Sequence, residues 1–114
     1  MVMGASRVER LTKRRDFLSL RRGRRINRPT FLLQVAPNDL SATRIGFTVT
    51  KKHGNAVRRN RLKRRLRAAV ESLSSSSVKP GYDLNFIARP ALGARPWPLL
   101  LDDVRGALVE AGAL

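Results

Sequence analysis

Lys51–Arg67, KKHGNAVRRNRLKRRLR, holds nine Lys or Arg residues in seventeen positions and no acid. Leu62, Leu66, Ala69, Val70 and Leu73 nevertheless recur through and beyond it at helical spacing. A disordered basic tail keeps no such stripe. The stretch predicts an amphipathic helix that packs its apolar side on the rest of the chain and holds a polyanion on the other. With Leu62 at the centre of the buried face, a turn of about 100° per residue sends Asn60, Lys63, Arg64 and Arg67 outward. Arg58, Arg61 and Arg65 fall on one flank, and Arg59 projects near the apolar arc.

The charge order of this helix is unfavourable in isolation. Helix N-termini favour acids, each by roughly 0.3–1 kcal/mol when exposed. Here Arg58, Arg59 and Arg61 crowd the first turns, and Glu71 lies towards the far end. Arg61/Arg65 and Lys63/Arg67 are like-charge pairs four residues apart, which repel by a few tenths of a kcal/mol each. A bound phosphate backbone reverses the sign of every one of these terms. Nucleic acid is therefore the expected partner.

Outward from the helix, three segments follow strand alternation. In Phe31–Val35, residues Phe31, Leu33 and Val35 oppose Leu32 and Gln34. In Arg44–Thr50, Ile45, Phe47 and Val49 oppose Gly46, Thr48 and Thr50. In Tyr82–Ala88, Tyr82, Leu84 and Phe86 oppose Asp83, Asn85 and Ile87. Pro37-Asn38-Asp39 marks the turn between the first two. The polar Gln34, Thr48, Thr50 and Asn85 predict one sheet face that helices do not fully bury. A short helix is expected over Lys13–Arg22, with Thr12 as N-cap, Gly23 as stop, and Phe17 and Leu20 on one face. Ser74–Ser77 reads as a helix exit. A last helix, about Pro98 to Ala111, places Trp97, Leu100, Leu101, Val104, Leu108 and Ala111 on one face.

These elements make an α+β fold, a two-layer α/β sandwich in the order α-β-β-(β)-α-β-α. The chain of 114 residues reads as a mobile basic N-terminus, 1–10, and one RNA-binding domain, 11–114. A hydrophobic fraction of 42% argues against wholesale disorder. Without cysteine there is no disulfide framework and no thiolate metal site. The N-terminus MVMGASRVERLTKRR lacks a signal-peptide apolar core, and no apolar run approaches membrane-spanning length. A cytoplasmic protein is expected.

Net charge is +16, and it is segregated: ten basic residues lie in 1–28, nine in 51–67 and five elsewhere. Such a field attracts nucleic acid or anionic membrane. A membrane-surface helix opposes Trp, Phe and Leu to its basic face, whereas this one offers Leu, Ala and Val. RNA or DNA is the better partner. Lys51 and Lys52 are expected to end a strand just before His53-Gly54, with Asn55 as N-cap. Strand-end lysines, a glycine turn and a helix N-terminus together make an anion-accepting corner.

The stretch KKHGNAVRRNRLKRRLR resembles the signature of the protein subunit of bacterial ribonuclease P, a Lys-Lys-x-Gly-x-Ala-Val-x-Arg-Asn-Arg-x-Lys-Arg pattern. Arg59, Asn60 and Arg61 match its central Arg-Asn-Arg. The resemblance spans roughly residues 10–110 and includes Arg15-Asp16-Phe17, Gly46 to Thr50 and Ile87-Ala88-Arg89-Pro90. It implies a small protein that assists a catalytic RNA in the magnesium-dependent removal of the 5′ leader from precursor tRNA. Magnesium belongs to the ribonucleoprotein, and the protein alone is expected to bind no cofactor and to be a monomer. A left-handed βαβ crossover is implied too, against the general right-handed rule.

By the same resemblance Phe17 and Phe31 line a leader cleft between the first helix and the sheet. Asn60, Lys63 and Arg67, joined by Arg59, face the leader. The RNA-binding set is Lys51, Lys52, Arg58, Arg59, Asn60, Arg61, Lys63, Arg64, Arg65 and Arg67. Two departures from the family weaken stacking: Leu20 and Gln34 stand where the family carries aromatics. Read without the family, Phe31, Phe47 and Phe86 are core residues and Trp97 is a packing residue.

Catalytic groups are not expected in the chain. His53 is the lone histidine, so neither an acid–base relay nor a His metal pair exists. Asp102 and Asp103 diverge by about 100° on a helix and read as helix-start acids, not a two-carboxylate site. A ribosomal or RNA-chaperone protein is the alternative with the same size and charge. A helix-turn-helix regulator needs a helix where residues 44–50 read as strand, and a stand-alone nuclease lacks the acid–base groups.

Overall fold

The computed structural model describes residues 7–74 and 78–114. Helix α2, Ala56–Ser74, forms where the apolar stripe predicts it and buries Leu62, Leu66, Ala69 and Val70. It ends on the first serine of the serine run; residues 75–77 lie outside the described residues. The other elements are β1 Arg7–Arg10, α1 Arg14–Ser19, β2 Arg24–Asn27, β3 Phe31–Pro37, β4 Ala42–Thr48, β5 Tyr82–Ala88 and α3 Trp97–Ala111.

The strands form one mixed sheet in the order β1-β4-β5-β3-β2. β1 and β5 run parallel to β4 on either side of it, so α2 is the crossover between two adjacent parallel strands. β3 runs antiparallel to β5, and β2 to β3. Helices α2 and α3 cover one face. Phe31, Leu33, Val35, Ile45, Leu84 and Phe86 point there, against Leu66, Val70, Leu100, Val104 and Leu108. Phe31 meets Phe86 edge-on at 5.1 Å, and Phe47 stacks on Phe86 at 5.7 Å. Among the described residues no helix is long and apolar enough to cross a membrane.

The opposite face carries a polar row. Thr48 Oγ1 donates to Asn85 Oδ1 at 3.1 Å, and Asn85 Nδ2 donates to Gln34 Oε1 at 3.2 Å. α1 and the 3-10 turn after it, Leu20–Arg22, lie over this face and bury Leu20. The face is thus polar yet covered in its centre, which lets Gln34 and Asn85 be buried while satisfying each other.

Several expectations change. Arg7–Arg10, expected to be mobile, is the edge strand β1; residues 1–6 lie outside the described residues. β1 and β2 escape sequence patterning because edge strands need only one or two buried residues. Val8 is exposed and Ile26 alone is buried in β2, while charged side chains guard both margins. Lys13, not Thr12, occupies the N-cap of α1, with no side-chain hydrogen bond. Gly23 does end the helical stretch as its C-cap, in extended conformation (φ −81°, ψ −174°); a Cβ there would lie 2.2 Å from the Val35 carbonyl oxygen. Close approach of β3 excludes a side chain.

The turn after β3 is held by the Leu40 amide donating to Asn38 Oδ1 at 2.8 Å. It joins strands that do not pair, because β5 inserts between them. Asp103 is buried within α3: its carboxylate accepts from Thr30 Oγ1 at 3.0 Å and from Arg95 Nε and Nη2 at 3.0 Å each. It is an anchor for the turn before α3, not a dipole-favoured surface acid. Trp97, expected to pack, is 39% exposed at the first position of α3, with the Arg65 guanidinium 5.7 Å from its ring centroid.

Candidate nucleic-acid interface

The start of α2 is fixed residue by residue. Lys51 and Lys52 are exposed on a single 3-10 turn, Lys51–His53, beyond the end of β4 rather than on it. The buried His53 ring pins this turn to the sheet through Nε2 and the Ala88 carbonyl, 3.1 Å apart. Gly54 follows with φ +114°, a conformation that L side chains rarely adopt. Asn55 then caps the helix as expected, its Oδ1 accepting from the Arg58 amide at 2.9 Å. Arg59 Nε donates back to the Gly54 carbonyl at 3.2 Å. The corner is thus preformed, with exposed ammonium groups beside a capped helix end.

Beyond it α2 presents two basic surfaces. Asn60, Lys63, Arg64 and Arg67 line a shallow hollow of about 450 Å³. On the flank, Arg58, Arg61 and Arg65 line a groove of about 550 Å³ with Leu62, Pro90 and Gly93. Arg65 is the fixed member, donating from Nε to the Leu92 carbonyl at 3.2 Å and from Nη2 to the Arg95 carbonyl.

A cleft of about 540 Å³ opens between α1, the C-terminal ends of β4 and β5, and Lys63 of α2. It exists because β1 pairs with β4 only as far as Ile45, after which the chain turns away into α1. Its floor is the polar row Gln34, Thr48 and Asn85; Phe17 and Phe47 are its aromatic walls; Arg14, Arg21 and Lys63 are its cations. Nothing lining it is acidic. Phe17 is half-buried and rests on Gly46, where a Cβ would lie 2.5 Å from the ring. Arg67 places its guanidinium 5.6 Å from the Phe47 ring centroid and joins Phe17 and Lys63 around an adjoining hollow. Among the described residues no three His, Cys, Asp or Glu side chains gather into a metal site. The chemistry on offer is charge, hydrogen bonding and an aromatic surface, which is what a single strand of nucleic acid requires.

The sequence model of the ribonuclease P family matches residues 5–112. The chain belongs to the ribonuclease P protein family. It is 46% identical to the ribonuclease P protein component of Paramagnetospirillum magneticum, over 96% of this chain and 87% of that one. Identity to the component from Caulobacter vibrioides is 43%, over 94% and 73%. The fold is similar to the solved RNase P protein of Staphylococcus aureus, with a TM-score of 0.77, 26% identity, and 91% and 95% of the two chains covered. For the Thermotoga maritima protein the values are 0.76, 27%, 90% and 96%.

In this ribonuclease P family member, the structure groups the polar side chains of α2 as the helical wheel does. Asn60, Lys63, Arg64 and Arg67 share one surface, and Arg58, Arg61 and Arg65 the other. Phe17, Lys63 and Arg67 meet across the sheet edge. Three residues expected in the leader cleft do not line it, and one of them, Asn60, lines only the outer hollow with Lys63, Arg64 and Arg67. Phe31 is fully buried on the helix-covered face, because strand alternation puts it with Leu33 and Val35. Arg59 bends back to the turn before its own helix, donating to the Gly54 carbonyl, and does not line the cleft. Arg14 and Arg21 line the cleft and are absent from the sequence-derived set. Their signal is present: they stand three residues before and four after Phe17, hence on its face.

Proposed function

We propose that the chain is the RNA-binding protein subunit of ribonuclease P, assisting a catalytic RNA in the endonucleolytic removal of the 5′ leader from precursor tRNA. The observation that carries this is the acid-free cleft beside Phe17, opening onto an α2 surface whose charge is all of one sign. In this reading the leader lies between α1 and the sheet edge, with phosphates near Arg14, Lys63 and Arg67. The Arg58/Arg61 flank meets the catalytic RNA. Magnesium is a requirement of the ribonucleoprotein, held by the RNA and substrate. The protein before assembly is a monomer, and the compartment is the cytoplasm.

The chain's own residues contribute neutralisation and placement. Each phosphate brought against a guanidinium or ammonium releases condensed counterions and relieves the repulsion among like charges on α2. Hydrolysis itself is assigned to the RNA: the His53 ring is buried and engaged with Ala88, leaving no free imidazole for proton transfer. The test is 5′-leader cleavage by a bacterial catalytic RNA at low magnesium, with and without the protein. Restoration of cleavage by the protein is the expected result. Unchanged cleavage, alongside tight binding to ribosomal RNA, would overturn the reading.

A further inference from the structure

Helix α1 is six residues long and buries none of them fully. A helix of that length is unstable by itself, yet it forms one wall of the cleft. Its seat on the sheet includes Phe17 resting on Gly46, Leu20 in the following turn, and an ion pair from Asp16 to Arg44. That ion pair belongs to a larger device. Arg44 on β4 donates from Nε to Asp83 Oδ1 at 2.8 Å and from Nη2 to Asp83 Oδ2 at 2.6 Å. The pair is bidentate, which fixes the guanidinium plane. Asp83 on β5 is held in turn by Asn38 Nδ2 at 2.8 Å. The remaining nitrogen, Nη1, reaches Asp16 Oδ2 on α1 at 3.2 Å.

We propose that Asp16 is a positioning residue for leader recognition: through Arg44 and Asp83 it holds α1 at the distance from the sheet that keeps Phe17 on the cleft wall. Asp16 itself lines none of the cleft, and its neighbour Phe17 does. All three side chains of the clamp are largely shielded from solvent, with relative exposures of 22%, 19% and 11% for Arg44, Asp16 and Asp83. The screening that makes surface pairs weak is correspondingly reduced. The Asp83 hydrogen bonds, with the negative charges of Asp83 and Asp16, hold the Arg44 guanidinium above its ordinary pKa despite partial burial. The clamp therefore stays charged wherever the two carboxylates are ionised.

Charge sign makes the inference sharply testable. A carboxylate near a site for a polyanion opposes binding, so if Asp16 acted only through its field, removing it would tighten leader binding. The clamp requires the opposite. The inference rests on the leader-cleft reading, and the experiment separates the two. Affinities for precursor tRNA with a long leader and for leaderless tRNA are measured on the assembled ribonucleoprotein, with melting temperatures of the protein. The proteins are wild type, Asp16→Ala, Asp16→Asn, Phe17→Ala and the Asp16→Ala/Phe17→Ala double variant.

Asp16→Ala is expected to lose about five- to tenfold of long-leader affinity, within the range of one stacked base, with leaderless affinity unchanged. It should cost nothing further in the Phe17→Ala background, because it acts through that ring. Asp16→Asn keeps an oxygen for Arg44 and should retain most of the discrimination. The clamp falls if Asp16→Ala tightens long-leader binding, if its loss adds in full to that of Phe17→Ala, or if Asn behaves as Ala. Equal losses on both RNAs with early melting would make Asp16 merely structural and also overturn it. If wild type itself ignores the leader, the leader-cleft reading fails and the clamp with it. If wild type discriminates and Asp16→Ala discriminates equally, the clamp alone fails.

Discussion

At the scale of single residues, two glycines and one phenylalanine show how little freedom the site has. Gly54 turns the chain at φ +114° between the lysine turn and α2. Gly54→Ala is expected to destabilise the protein by about 1–3 kcal/mol, the usual range for strained backbone, read as a lower urea midpoint. Gly46 has room for no side chain because Phe17 occupies that space. Phe17 is half-buried, so part of its ring packs and part stays open to the cleft. If a base stacks on it, Phe17→Ala should weaken long-leader precursor tRNA by up to about 1–3 kcal/mol and leave leaderless tRNA nearly unchanged. A purely core role predicts early melting and equal losses on every ligand, since a Phe-to-Ala cavity costs roughly 3–5 kcal/mol. Paired melting and binding measurements decide between them. Phe31 illustrates the opposite case: it is fully buried against Phe86 on the helix-covered face.

At the scale of elements, α2 is built against its own electrostatics. Its apolar stripe is buried in the core, so tertiary packing holds a helix whose first turn carries no acid and whose dipole it does not favour. Replacing Arg59, Asn60 and Arg61 together by Ala should therefore leave the circular-dichroism signal intact. The lost Arg59–Gly54 contact is offset by better helix propensity and reduced repulsion. RNA-dependent activity should collapse. Loss of the folded signal would instead make the three residues structural. The cap is different: Asn55→Ala removes the acceptor for the Arg58 amide and should cost about 1 kcal/mol, measured by urea denaturation.

At the scale of the whole molecule, the charge distribution sets the affinity. Engagement of roughly 6–10 phosphates predicts a loss of about 10³–10⁵ in RNA affinity from 50 to 200 mM salt; a nearly salt-independent titration would contradict it. How the basic side chains divide between surfaces is only partly legible in the sequence. Local periodicity was sufficient for α2, for the facing of β3, β4 and β5, and for the sorting of Asn60, Lys63 and Arg67 from Arg58 and Arg61. Those features depend on spacing within one segment, and a regular backbone converts spacing into direction. The one-signed charge of residues 51–67 needs no structure to be read, and it already pointed to a polyanion. Periodicity does not say which face of a sheet the helices will cover, nor which strand lies beside which. That is why the resemblance can set Phe31 on the cleft while its alternation with Leu33 and Val35 reads as core, why β5 between β3 and β4 leaves no local mark, and why the short edge strands β1 and β2 leave little pattern. The clamp unites Asp16, Arg44 and Asp83, and the cleft unites Arg14 and Arg21 with Lys63. Each joins residues that are brought together only when distant strands pair and burial of the apolar core repays their ordering.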